Sequence, residues 1–128
     1  MKYLLDTHTL LWIVTDSPKL SKEAKKLYLE MDNLILFSLA SIWELAIKSS
    51  LGKIEFEKSL ESFVEEHVKE NNIQILNIEI PHLLRIEQLP FYHRDPFDRL
   101  LISQLIENNL SIISCDKMFD LYDVKRIW

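Results

Sequence analysis

Residues 2–13 read Lys-Tyr-Leu-Leu-Asp-Thr-His-Thr-Leu-Leu-Trp-Ile. Lys2 to Leu5 form a short apolar run of strand length. Asp6-Thr7 then supply the polar residues that leave a strand and open a helix through Leu10, Leu11, Trp12 and Ile13. A strand running into a helix, with an acid at the junction, is the unit from which parallel α/β sheets are built.

The same alternation continues outward. Ser21 caps a helix with Ala24, Leu27, Tyr28 and Met31 at helical spacing. Leu34 to Phe37 reads as a buried strand. Ser41 opens a helix to Leu51, and Gly52, the only glycine of the chain, stands where a left-handed helix cap is expected. An amphipathic helix follows near Ser59 to Asn71, then a strand at Ile73 to Leu76 and a helix at about Pro81 to Gln88. Pro96 opens a helix to about Asn108, and Ile112 to Ser114 and Val124 to Trp128 are the last strands. This order predicts a three-layer α/β/α sandwich with a mostly parallel central sheet of four to five strands. With one Gly and four Pro in 128 residues there is no linker tract, so residues 1–128 are expected to form a single domain.

Nearly half of the chain is apolar (48%), enough for a core without disulfides. The lone Cys115 has no internal partner, no signal peptide is evident, and no apolar run nears the roughly 18 to 20 residues of a membrane span; a cytoplasmic protein is expected. Cys115 lacks a dedicated His and reads as a small core residue. The net charge of −5 at first opposes a nucleic-acid partner. Two divalent cations held by a cluster of acids would offset most of it.

Four acids occupy corresponding places. Asp6 closes the first strand, Glu44 lies early in the helix after the second, Asp98 lies in the turn opened by Pro96, and Asp116 follows the fourth strand. Ligands gather at the carboxyl ends of parallel strands. Four carboxylates gathered there repel unless cations neutralise them. Their hard oxygens suit Mg²⁺ or Mn²⁺, and no Cys/His spacing favours zinc. Each acid also has a purely structural reading. Ser41-x-x-Glu44 fits a capping box, Asp95-Pro96-x-Asp98 fits a cap with Pro at the first helical position, and Asp6 and Asp116 can cap as well. His8, His93, Arg94, Lys48, Lys53, Arg99 and Lys117 lie close to these acids in sequence. Each is either a substrate contact or an ordinary packed or solvated residue. The apolar breadth of the first and third helices is consistent with a second chain or with core packing.

The segments LLDTHTLLW (4–12), SIWELAIKSSLGKI (41–54), LPFYHRDPFDRLLISQ (89–104) and ISCDKMFDLYDVKRIW (113–128) resemble a PIN-domain ribonuclease, in particular the VapC-type toxins of bacterial toxin–antitoxin pairs. The resemblance spans nearly the whole chain. It implies that Asp6, Glu44, Asp98 and Asp116 are the catalytic, metal-binding acids, with Thr7 and Asp95 accessory and His8, Arg94, Arg99 and Lys117 candidate substrate contacts. It further implies Mg²⁺- or Mn²⁺-dependent cleavage of RNA leaving a 5′-phosphate, a homodimer, and a cognate antitoxin partner. Many members of that group carry Asn after Asp-Thr, where this chain has His8, as in an Asp-Thr-His...Leu-Trp subgroup. Three alternatives stand beside it. A haloacid-dehalogenase-like phosphatase needs a second Asp where His8 stands. A phosphate-receiver domain needs paired acids after the first strand, which are absent although Lys117 is present. A non-enzymatic partner-binding module would keep the fold alone.

Overall fold

The structure, a computed structural model, describes residues 1–128. Five strands, β1 (Lys2–Leu5), β2 (Leu34–Ser38), β3 (Gln74–Leu76), β4 (Ser111–Ile113) and β5 (Lys125–Ile127), form one wholly parallel sheet in the order β3-β2-β1-β4-β5. Six α-helices accompany them: α1 (Thr7–Val14), α2 (Lys22–Leu29), α3 (Leu39–Ser50), α4 (Leu60–Val64), α5 (Ile80–Ile86) and α6 (Pro96–Asn108). The expected three-layer α/β/α sandwich is present.

The period-two alternation of strand side chains divides the core between the two faces of the sheet. Leu4 of β1 is in register with Leu36 and Ile112, and these three pack against Leu100, Leu101 and Leu105 of α6. Tyr3 and Leu5 point the other way. With Ile35, Phe37 and Ile113 they meet Leu10, Ala24, Leu45 and Phe63 from α1 to α4. Leu4, Leu5 and Phe37 are fully buried, each worth about 1.5–3 kcal/mol of burial, so the ends of β1 and β2 are held firmly.

The strand order gives this fold its site. From β1 the chain moves to β2 and β3 on one side, then returns to place β4 on the other side of β1. The crevice at the carboxyl ends of β1 and β4 is therefore a topological switch point, where α/β sheets bind ligands.

Local chemistry explains the element boundaries. α3 starts at Leu39, capped by Ser38, whose hydroxyl accepts from the Ala40 N–H at 3.0 Å. This is earlier than the expected start at Ser41, so the anticipated Ser41–Glu44 capping box does not form and Glu44 falls in the second turn. Gly52 adopts φ +72° after α3, with Lys53 N–H bonded to Lys48 O and Gly52 N–H to Ser49 O. That pair of bonds is the Schellman ending its position predicted. The helix expected over Ser59 to Asn71 is divided: α4 gives way to a π-helical turn at Glu65–Lys69. The wider turn lets Phe63 and Val68, five residues apart, both enter the core. After β4 a 3₁₀ helix spans Lys117–Leu121. No helix is long and apolar enough to cross a membrane.

Candidate active site

Asp6 leaves β1 and caps α1. Its Oδ1 accepts from the Thr7 N–H at 2.8 Å and its Oδ2 from the Ser114 hydroxyl at 2.6 Å. Ser114 in turn accepts from the Asp116 N–H at 3.0 Å, so one hydroxyl ties the end of β1 to the end of β4. Asp116 caps the 3₁₀ helix through Oδ1, which accepts from Met118 N–H at 2.9 Å. Its Oδ2 faces His93.

Glu44 reaches the same crevice from α3. Thr7 Oγ1 lies 2.8 Å from both Glu44 Oε1 and Ser41 Oγ; with one proton to give, it donates to the charged carboxylate. Lys48, one turn on, places Nζ 2.7 Å from Glu44 Oε2. On α6 the labour is divided. Asp95 caps the helix, accepting from Phe97 N–H at 2.8 Å, and Pro96 takes the first helical position, so Asp98 needs to cap nothing. Asp98 Oδ2 lies 2.8 Å from His93 Nε2.

The four acids, with Asp95, line one pocket of about 300 Å³ whose remaining walls are His8, Trp12, Lys48 and Cys115. Capping and convergence prove compatible, because Asp6 and Asp116 each meet a helix start while facing the crevice. Lys48 is the only Lys or Arg among these lining residues. Burial raises the Asp6 carboxyl above the ordinary carboxylate range. Asp98 is pushed up to about 8, first by burial and then by Asp6, Asp95, Glu44 and Asp116. A carboxyl so perturbed in a crevice marks a charge balance that a cation would complete. The donor set, four carboxylates with little competing nitrogen, fits Mg²⁺ or Mn²⁺.

Several residues fall elsewhere than expected. Arg99 is 4% exposed and donates to the carbonyls of Ile86, Leu89 and Pro90, pinning the loop before α6; it does not reach the pocket. The expected substrate contact at Arg99 is thus replaced by a structural role. Arg94, Lys53 and Lys117 are exposed and do not line the pocket. Cys115 is exposed at the pocket, not in the core, and burial first, then Asp6 and Asp116, raises its thiol pKa, opposite to what a nucleophile needs. His93, Lys48 and Trp12 are drawn into or beside the acid cluster by tertiary packing.

The PIN domain family profile matches residues 3–125. The chain belongs to the PIN domain family. PIN domains are generally nucleases and generally use divalent metal ions. The PIN fold is shared with VapBC2 from Rickettsia felis bound to a DNA fragment from its promoter, at TM-score 0.74 and 15% identity, covering 99% of this chain and 98% of that one. FitAcB from Neisseria gonorrhoeae gives 0.71 and 16%, covering 98% and 96%, and VapBC-1 from nontypeable Haemophilus influenzae 0.67 and 19%, covering 99% and 97%. A search of curated protein sequences gives no match.

Proposed function

We propose that this PIN domain is a Mg²⁺- or Mn²⁺-dependent endoribonuclease, the toxin of a toxin–antitoxin pair, acting in the cytoplasm. The observation that carries the reading is the convergence of Asp6, Glu44, Asp98 and Asp116 on one pocket at the switch point of the sheet. The solved VapBC complexes of like fold support an antitoxin partner. Apolar side chains exposed on α3 (Leu39, Trp43) and α5 (Ile80, Leu83, Leu84) supply surface for that partner and for a homodimer.

In this reading the four acids would hold one or two cations; His8, at the pocket wall, and Arg94 and Lys117, exposed outside it, would contact the RNA. A divalent cation there supplies charge stabilisation for the phosphoryl oxygens and acidifies water. The chain's own part is orientation. Thr7 and Lys48 hold the two oxygens of Glu44, Ser114 holds Asp6 beside Asp116, and the cap at Asp95 leaves Asp98 facing the pocket. Water adds to phosphorus as the bond to the 3′ oxygen breaks, the proton passing to that oxygen, so one product carries a 5′-phosphate and the other a 3′-hydroxyl. No covalent nucleophile is needed.

End-labelled RNA incubated with the purified protein tests this. Cleavage in Mn²⁺ that stops in excess EDTA and in Asp98→Asn, with 5′-phosphate ends, is expected. Undiminished cleavage in EDTA, or 2′,3′-cyclic phosphate ends, would contradict it.

A further inference from the structure

His93 stands among the acids without being one of them. Its Nε2 lies 2.8 Å from Asp98 Oδ2 and 3.3 Å from Asp116 Oδ2, and the three ligand-type atoms fall within 4.8 Å of one another. Those distances alone fit a third ligand to a cation. The other ring nitrogen discriminates. The backbone N–H of Asp95 points at His93 Nδ1 at 3.2 Å. A backbone amide can only donate, so Nδ1 presents a lone pair and the ring proton sits on Nε2. A metal-ligating histidine needs the reverse: a lone pair on the ion and the other nitrogen's N–H given to an acceptor.

The ring is also held in place. His93 N–H donates to Tyr122 Oη at 2.9 Å, and that hydroxyl donates to Pro90 O at 2.7 Å. Fully buried Phe119 meets the ring edge-on, with centroids 6.4 Å apart. Turning the ring over would leave the Asp95 N–H, at the cap of α6, without its acceptor.

We propose that His93 is a positioning residue of the cation site: it donates Nε2–H to Asp116, holds Asp98 Oδ2 in close contact with the same nitrogen, steadies both carboxylates, and does not ligate the ion. The inference rests on the reading of these acids as cation ligands. Residues 93–98 then carry positioner, helix cap and ligand in one short stretch.

Nitrogen-15 NMR of histidine-labelled full-length protein, with His93→Gln identifying the resonances, should show Nε2 protonated and Nδ1 unprotonated, both before and after saturation with Mg²⁺. Pulsed electron paramagnetic resonance of bound Mn²⁺ should show no nitrogen coupling that His93→Gln abolishes. His93→Leu, which cannot donate, should bind Mn²⁺ about 10–100-fold more weakly, whereas His93→Gln, whose amide can, should recover most of that loss. If His93→Leu does not fold, the tautomer and the Gln variant still decide. A proton lost from Nε2 on Mg²⁺ binding, a Mn–nitrogen coupling lost in His93→Gln, or wild-type affinity in folded His93→Leu would overturn the proposal. So would wild-type protein that binds no Mn²⁺ at millimolar concentration. The expected order of affinities without any RNA cleavage would uphold His93 and overturn only the nuclease reading.

Discussion

Thr7 Oγ1 lies 2.8 Å from Glu44 Oε1, joining the first residue of α1 to the second turn of α3 across 37 positions of sequence. Both side chains are buried, and the bond holds one oxygen of Glu44 while Lys48 holds the other. Replacing Thr7 by Val keeps the shape and removes the donor. Stability should fall by about 1.5–3 kcal/mol, the range for a lost hydrogen bond to a charged group, and the Kd for Mn²⁺ should rise as Glu44 loses its orientation. Urea unfolding and calorimetric titration would measure both. Unchanged values would mean that Thr7 is only a helix residue.

A second expectation concerns pH. The Asp98 carboxyl is raised to about 8 in the folded, metal-free protein, against about 3.9 for an unfolded chain. Between those values the native state holds a proton that the unfolded state has released. Its contribution is therefore full below about pH 4 and lost as pH rises toward 8. Asp98→Asn has no such loss, so in EDTA its stability advantage over wild type should grow from pH 5 to pH 8, reaching on the order of a few kcal/mol. The opposing gain of an acid near the start of α6 is smaller, about 0.3–1 kcal/mol. Denaturant melts at several pH values would decide. A variant less stable than wild type throughout would return Asp98 to an ordinary helix-start role.

Arg99 supplies a third test. Its guanidinium serves three backbone carbonyls and lies 3.9 Å from the centroid of the Phe91 ring. Arg99→Met should cost about 3 kcal/mol or more of stability, since several buried acceptors lose charged donors together. A stable variant with a raised KM for RNA would instead make Arg99 a substrate contact.

Much of the fold was legible because strands and helices alternate with clear periods, and because Asp95-Pro96 and Gly52 mark helix ends by local chemistry. The start of α3 was not. Residues 34–47 are almost continuously apolar, and periodicity cannot separate the end of a buried strand from the start of a buried helix. Ser41 therefore looked like the cap that Ser38 actually is. The four acids were visible as a set through their places at strand ends and early helix turns and through the family resemblance. Their companions were not, because hydrogen-bond partners depend on the turn of each chain segment. His93 and Lys48 each stood as a substrate contact or an ordinary residue; tertiary packing brings His93 to Asp98, whereas Lys48 meets Glu44 as its i,i+4 neighbour on α3. Arg99 misled for the same reason. Next to Asp98 in sequence, it leaves α6 about 100° further round the helix, toward the carbonyls of Ile86, Leu89 and Pro90.

Crystals grown with Mn²⁺ and measured at the manganese absorption edge would locate the cation without reference to activity. Anomalous density within bonding distance of oxygens from Asp6, Glu44, Asp98 and Asp116, in the pocket at the carboxyl ends of β1 and β4, is the expected result. A protein that leaves that pocket without manganese at concentrations supporting RNA cleavage would contradict the four-carboxylate cation site.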